Sequence, residues 1–254
     1  MPNRAPSDQF VQSLARGLAV IETFGVERQE LTLSEVAGAV GLSRAAARRF
    51  LLTLVELGFA RQTETRFALT PRVLRLGTAY LSGLGLPRIS QPHLERLSAT
   101  VGESTSAAVL DGTDIVYVAR VATRQVISVG ITVGTRFPAF ATSMGRALLA
   151  GLDPEELDSF FESADLSPPT GRTVADENAL RELLATVQQR GYAYNDQELA
   201  PGLRSIAAPV RDRTGRVVAA INISSTVERD PVREFLAPLR QAAAAISADV
   251  AETG

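Results

Sequence analysis

Two runs in this 254-residue chain combine residue types and spacing that can do chemistry. In Ala141-Thr142-Ser143-Met144-Gly145-Arg146 a helix starts straight after a loop. The free N–H groups and positive dipole end of such a start form a natural carboxylate site. Gly145 would let a ligand approach the backbone closely. Ser143 has two readings, as ligand contact or as helix cap. The second run, Ser43-Arg44-Ala45-Ala46-Ala47-Arg48-Arg49, places arginines in the first turns of a helix with small residues between them. Arginine reads guanine edges and clamps phosphates, and Ala45 and Ala46 would permit close approach to bases or thymine methyls. The bland alternative is a solvated arginine face on an ordinary helical bundle.

Other chemistries lack their residues. Cysteine is absent and His93 is the single histidine. A disulfide framework, thiolate metal sites and a cysteine nucleophile are therefore excluded, and a zinc centre or a Ser-His-Asp hydrolase is left with one imidazole. No P-loop, dinucleotide-binding glycine fingerprint or nucleophile elbow occurs. No catalytic residue, metal site or cofactor is expected. The acidic pairs Glu155-Glu156 and Asp176-Glu177 begin predicted helices, where negative charge offsets the dipole.

The apolar fraction of 45% and charged fraction of 21% are those of a globular protein. No apolar run approaches the roughly 20 residues of a membrane-spanning helix. Met1 to Gln9 is polar and lacks a signal-peptide core, so the expected compartment is the cytoplasm, without a membrane partner. All 26 basic residues are arginine. Net charge is −2, but residues 1–90 hold 11 Arg against 7 acids, and the remainder holds 15 against 21. The stretch 43–75 alone carries 7 Arg and 2 Glu. Such asymmetry points to a polyanion-binding module joined to an acidic partner domain.

The elements that position the first arginines are local. Leu14, Leu18, Ile21 and Phe24 make 13–24 an amphipathic helix. Thr32-Leu33-Ser34-Glu35 has the form of a capping box opening a second helix that Gly41 ends. Ser43 caps a third, 44–57, with Ala47, Leu51 and Leu54 as its core face, ended by Gly58. The pair is a helix-turn-helix, whose second helix would enter the major groove by its N-terminal half. Residues 59–62 and 66–69 predict a hairpin wing carrying Arg61 and Arg66. Thr70 and Pro71 start a further helix reaching about residue 84, where Gly83, Gly85 and Pro87 mark a linker.

The second run needs a larger frame. A helix is expected over 91–102, starting at Gln91-Pro92, then strands over 105–110, 115–121 and 126–131, the first two joined at Asp111-Gly112. Residues 207–210 and 217–224 predict another strand pair, and helices fit 143–151, 154–162, 177–190 and 231–251. Strands with helices on one side suggest an antiparallel α+β sheet. The expected division is 1–70 for the winged helix-turn-helix, 71–88 for a linker helix and 89–254 for a ligand domain.

The ordered blocks Leu31-Thr32-Leu33-Ser34-Glu35-Val36-Ala37, Gly41-Leu42-Ser43-Arg44, Leu54-Val55-Glu56-Leu57-Gly58-Phe59, 142–150 and 202–210 resemble the IclR family of bacterial regulators over essentially the whole chain. Arg44-Ala45-Ala46-Ala47-Arg48-Arg49-Phe50-Leu51, 109–112, 115–120 and 133–139 look closest to its branch governing protocatechuate and β-ketoadipate breakdown. The resemblance implies a GAF-like effector domain, an aromatic acid or its breakdown product as effector, and dimers or dimers of dimers on pseudo-palindromic double-stranded operators. It also implies pocket contacts at Ser143, Met144, Gly145, Asn195, Ser205, Asn222 and Ser224. The chain departs from common family residues at Asn195, Ser205 and Asn222, which counts against carrying over a small effector such as glyoxylate. Tyr117, Arg120, Val129 and Arg136 join the pocket candidates. Arg120 and Arg136 would hold a carboxylate in paired hydrogen bonds or instead pair with acids such as Asp196 or Glu198. Ser13 and Arg16 join Ser43, Arg44, Ala45, Ala46, Arg48, Arg49, Arg61 and Arg66 as candidate DNA contacts.

The expectation is thus a ligand-responsive, DNA-binding regulator of aromatic-acid breakdown. The alternatives are a regulator of another carboxylic-acid pathway, an enzyme with a GAF-like small-molecule domain, or an architectural DNA protein that senses nothing.

Overall fold

The computed structural model describes residues 9–25, 28–77, 85–123 and 131–253. Two compact units organise the chain, residues 4–83 and 84–254.

The first unit is built by its caps. Helix α1 (Gln12–Glu22) precedes the short strand β1 (Leu31–Thr32), α2 (Leu33–Ala39) and α3 (Arg44–Glu56). The Thr32 capping box is complete: Glu35 Oε2 accepts from Thr32 N at 2.7 Å, and Thr32 Oγ1 accepts from Glu35 N at 3.4 Å. Ser43 Oγ caps α3 by accepting from Ala46 N at 3.2 Å. Gly41 and Gly58 take φ of +63° and +78°, the left-handed geometry that ends α2 and α3. Strands β2 (Ala60–Thr63) and β3 (Arg66–Leu69) form the expected wing, and β1 adds a third strand in the order β1-β3-β2. Val20, Val36, Leu51, Leu54 and Phe67 make the core. Leu14 and Leu18, expected on the inner face of α1, are 63% and 48% exposed; the buried stripe begins only at Val20. After Thr70 the chain makes a 3₁₀ turn, Pro71–Val73, and is helical over 74–77. Of the expected linker helix, 78–84 lies outside the described residues.

The second unit opens with α4 (Leu86–Val101). This corrects two expectations: 86–88 begins this helix rather than ending a linker, and Pro92 lies inside it. Gly85, at φ +61°, and Pro87 in the first turn are start signals here, not breaks. Strands β4 (Ser104–Asp111), β5 (Asp114–Val121), β6 (Arg136–Pro138), β7 (Ala193–Asp196), β8 (Leu203–Arg211) and β9 (Val217–Thr226) form one antiparallel sheet ordered β6-β5-β4-β9-β8-β7. The expected strand over 126–131 falls largely on residues outside those described.

Helices cover both faces of the sheet, not one. Helix α5 (Ser143–Leu149), with α6 (Pro154–Ser163) and α7 (Glu177–Arg190), packs on the face of Ala108, Tyr117, Ala193, Ala207 and Ala220. Helices α4 and α8 (Pro231–Thr253) cover the other face, where Thr105 Oγ1 donates to Leu94 O at 3.0 Å. The reason is visible in β4: Ser104 to Val109 are all buried although half are polar, and a strand buried on both sides needs a cover on each. No helix among the described residues is long and apolar enough to cross a membrane.

Candidate functional site

Helix α3 presents its arginines as the amphipathic pattern predicts. Ala47, Leu51 and Leu54 are buried, while Arg44, Ala45, Arg48 and Arg49 are exposed. The guanidinium groups of Arg16, Arg44, Arg48 and Arg49 have neither ion pair nor hydrogen bond among the described residues. Ser13 and Arg16 of α1 line one groove of about 400 Å³ with Ala46, Arg49 and Thr53 of α3, so two of the helices contribute to one basic surface. Ser43 is committed to its capping bond. The wing arginines differ in being engaged: Arg61 Nη2 donates to Glu30 Oε1 at 2.9 Å and Arg66 Nη1 to Glu30 O at 3.1 Å.

The second candidate region lies on the α5-facing side of the larger sheet. Register places Arg120 (β5), Ser106 (β4) and Asn222 (β9) side by side, and Ser104, Ser224, Ser205 and Asn195 in a parallel row. Cross-strand partners share a face and alternate positions repeat it, so both rows look toward α5. Ser143 Oγ donates to Ser205 Oγ at 2.8 Å, closing the patch from the helix side. Asn195 Nδ2 donates to Ala141 O at 2.8 Å, and Asn222 Nδ2 to Ser224 Oγ at 3.0 Å. Among the expected pocket residues, Arg120, Ser143, Asn195, Ser205, Asn222 and Ser224 are brought together.

Two features of this patch are incomplete as a closed structure. Arg120 is half-buried, its Nη1 donates to Ser106 Oγ at 3.0 Å, and its Nε is buried without a partner. No carboxylate pairs with it among the described residues. Burial pushes its guanidinium below the ordinary value. Asn222 Oδ1 is likewise buried and unpartnered. Tyr117, on the same face, is buried, and burial pushes its phenol up to about 12.

Several expectations change. Thr142, not Ser143, caps α5, its Oγ1 accepting from Gly145 N at 2.9 Å. Gly145 is required by packing, since a Cβ there would lie 2.0 Å from Ala139 O. Met144 is core, 1% exposed. Arg136 does not join the patch; it pairs with Val116 in the ladder, is exposed, and is held by Asp111 and Asp114. Asp196 and Glu198 serve neither Arg120 nor Arg136, since Arg204 and Arg172 take Asp196 and Arg146 takes Glu198. Val129 lies outside the described residues. His93 is structural, bonded to Asp249 at 2.7 Å and Arg96 at 2.9 Å.

Sequence reasoning missed Arg146. It is fully buried on α5, donates through Nη1 and Nη2 to the two oxygens of Glu198, and through Nε to Phe140 O at 2.8 Å. Glu198 Oε2 also accepts from Val174 N at 2.9 Å, and its own N donates to Asn195 Oδ1 at 3.3 Å. This pair ties the start of α5 to the segment that carries Asn195. The available signal was a charge inside the short apolar run Met144-Gly145-Arg146-Ala147-Leu148-Leu149.

Comparison with known proteins agrees with this arrangement along the chain. Residues 13–64 match the family model of the IclR helix-turn-helix domain, and residues 78–248 that of the bacterial transcriptional regulator IclR C-terminal region. The chain is 45% identical over 221 residues to the Pca regulon regulatory protein of Pseudomonas putida, covering 87% of this chain and 76% of that one. It is 40% identical over 228 residues to the p-hydroxybenzoate hydroxylase transcriptional activator of Acinetobacter baylyi, covering 88% and 84%. It also resembles the crystal structure of an IclR homolog from Microbacterium hydrocarbonoxydans complexed with 4-hydroxybenzoate, with 30% identity, a TM-score of 0.85, and coverage of 95% and 100%. The chain belongs to the IclR family of bacterial transcriptional regulators.

Proposed function

We propose that this regulator responds to a small carboxylic acid, an aromatic acid or a product of its breakdown, and controls genes of that breakdown. The observation that carries the reading is Arg120, a half-buried guanidinium with no acid beside it among the described residues. A desolvated cation without a counter-charge is costly, and a carboxylate accepting its free donors would remove that cost. Ser143, Asn195, Ser205, Asn222 and Ser224 supply the neutral polar lining, with Tyr117 as a wall. The names and the 4-hydroxybenzoate complex of the relatives favour an aromatic acid over other acids.

Residues 1–70 hold double-stranded DNA, with Arg44, Arg48 and Arg49 at base edges or phosphates, Ser13 and Arg16 beside them, and the wing arginines at the backbone. Residues 89–254 hold the effector. Dimers or dimers of dimers on a pseudo-palindromic operator in the cytoplasm complete the reading. The effector acts by population shift, with a coupling of ~1–3 kcal/mol, or roughly 5–150-fold in operator affinity. The chain turns over no ligand.

A thermal-shift screen of aromatic and dicarboxylic acids tests this, because a ligand of the native state raises stability by mass action. The reading requires that an aromatic acid shift the wild type and release unchanged, and that Arg120→Gln abolish the shift. A panel without any shift, or stoichiometric conversion of a ligand to product, would end it.

A further inference from the structure

The first unit carries a single ion pair among its described residues, and that pair sits on the wing. Arg61 Nη2 donates to Glu30 Oε1 at 2.9 Å, and Arg61 Nη1 donates to Thr63 Oγ1 at 3.2 Å. Glu30 also holds the second wing arginine, its carbonyl oxygen accepting from Arg66 Nη1 at 3.1 Å. The neighbouring carboxylate of Glu35 is taken up by its own helix cap. Arg16, Arg44, Arg48 and Arg49 have no acid beside them among the described residues.

Sheet register explains how a residue ahead of β1 reaches the far strand. Leu31 pairs with Phe67 and Thr32 with Arg66, so extending the antiparallel ladder by one residue sets Glu30 beside Ala68. Ala68 pairs on its other side with Arg61. Cross-strand neighbours share a face, and Phe67 takes the core side. Glu30 and Arg61 therefore flank Ala68 on the outer face. A single methyl between them leaves the way open for carboxylate and guanidinium to meet.

Both side chains of the pair are about half exposed. An exposed ion pair shifts an equilibrium by no more than about fivefold, so a DNA phosphate can displace the carboxylate, at a cost. The arginines of α3 face no such competitor. Once displaced, the Glu30 charge stands within a Debye length of the backbone, roughly 8 Å, and repels it.

We propose that Glu30 restrains the grip of the wing on DNA, its carboxylate competing with phosphate for Arg61. Phosphate contacts position a protein without reading sequence, so this competition damps attraction to any duplex and leaves recognition to α3. The inference rests on the reading that the wing meets the DNA backbone, and it assigns there a residue that opposes binding.

The test is fluorescence anisotropy with a labelled mixed-sequence duplex at several salt concentrations. It compares full-length wild type, Glu30→Gln, Arg61→Ala and the double variant. Glu30→Gln should bind about threefold or more tighter than wild type, with a salt slope steeper by up to about 1. Arg61→Ala should weaken binding less than about twofold in the wild type and about fivefold in Glu30→Gln. Weaker binding by Glu30→Gln would make Glu30 a support for Arg61 and overturn the proposal. Equal effects of Arg61→Ala in the two backgrounds would overturn it as well, leaving only general charge repulsion. If Arg61→Ala and Arg66→Ala alter binding in neither background, the wing is not at the DNA and the underlying reading falls first.

Discussion

Tyr117 and Arg120 lie three residues apart on one strand yet face the same side of the sheet. The β4–β5 ladder pairs Ala107 with Ala119 and Ala108 with Tyr117, leaving Val118 as an extra residue. Without that slip the alternation of a strand would send one of the two to the opposite face. The bulge therefore aims Arg120 at the polar patch while Tyr117 stays in the apolar core beside it.

Replacing Arg120 by Gln should separate function from stability. Losing a charged hydrogen-bond donor should weaken binding of an aromatic acid by roughly ten- to a hundredfold. The unliganded protein should be as stable as the wild type or more so, since the cation has no acid to lose. Denaturant titration with and without ligand measures both. A clear fall in unliganded stability with ligand affinity retained would make Arg120 a structural residue.

Arg146 and Glu198 should behave in the opposite way. Breaking the buried pair from one side, by Arg146→Met or Glu198→Gln, should cost about 3–5 kcal/mol, because the remaining group is left buried and uncompensated. The double change Arg146→Met with Glu198→Met should recover much of that loss. Unfolding free energies of the wild type, Arg146→Met, Glu198→Met and the double variant form a cycle, and additive losses would refute the coupling.

On the DNA side, Arg48→Ala and Arg49→Ala should each weaken operator binding and, where the contact is to phosphate, lower the salt slope by about 1. Ligand affinity should be unchanged. Arg61→Ala should cost less, because Glu30 already holds its guanidinium at 2.9 Å. Binding curves at several salt concentrations report this; an Arg61→Ala defect exceeding both helix variants would reverse the ranking.

Tyr117 gives a prediction for alkaline pH. Its folded value is raised from about 10 to about 12. Below pH 10 the phenol is neutral in both states, so stability is unaffected by its titration. Between pH 10 and 12 the unfolded chain loses the proton and the folded protein keeps it, so stability falls as pH rises, by up to about 1.4 kcal/mol per unit. Tyr117→Phe should lose less stability than the wild type from pH 9 to 11. Equal losses in chemical denaturation would contradict the assignment.

The parts of this molecule that are legible in sequence are those whose causes are local. Thr32 with Glu35, Ser43 before α3, and Gly41 and Gly58 after their helices announce the helix-turn-helix within a few residues of where each acts. Asp111-Gly112 likewise marks its hairpin. The resemblance added Ser143, Ser205 and Asn195, which meet in the fold. What stayed hidden depends on distant partners. Arg146 and Glu198 are 52 residues apart. Arg136 is captured by Asp111 and Asp114 from across a strand pair, and the need for Gly145 arises from Ala139 turning back against it. The Val118 bulge leaves no mark on the alternation of residue types.

The central ladder between β4 and β9 joins Ser104 to Ser224 and Ser106 to Asn222, more than a hundred positions away along the polypeptide. Arg120 and Asn222 become neighbours only when that seam has zipped. On the proposed reading of the site, a chain lacking β9 would fail to bind the acid even with Arg120 in place, because the Asn222 side of the patch comes from that strand. If that reading holds, acid binding doubles as a readout of whether the long-range closure of β4 on β9 has been achieved.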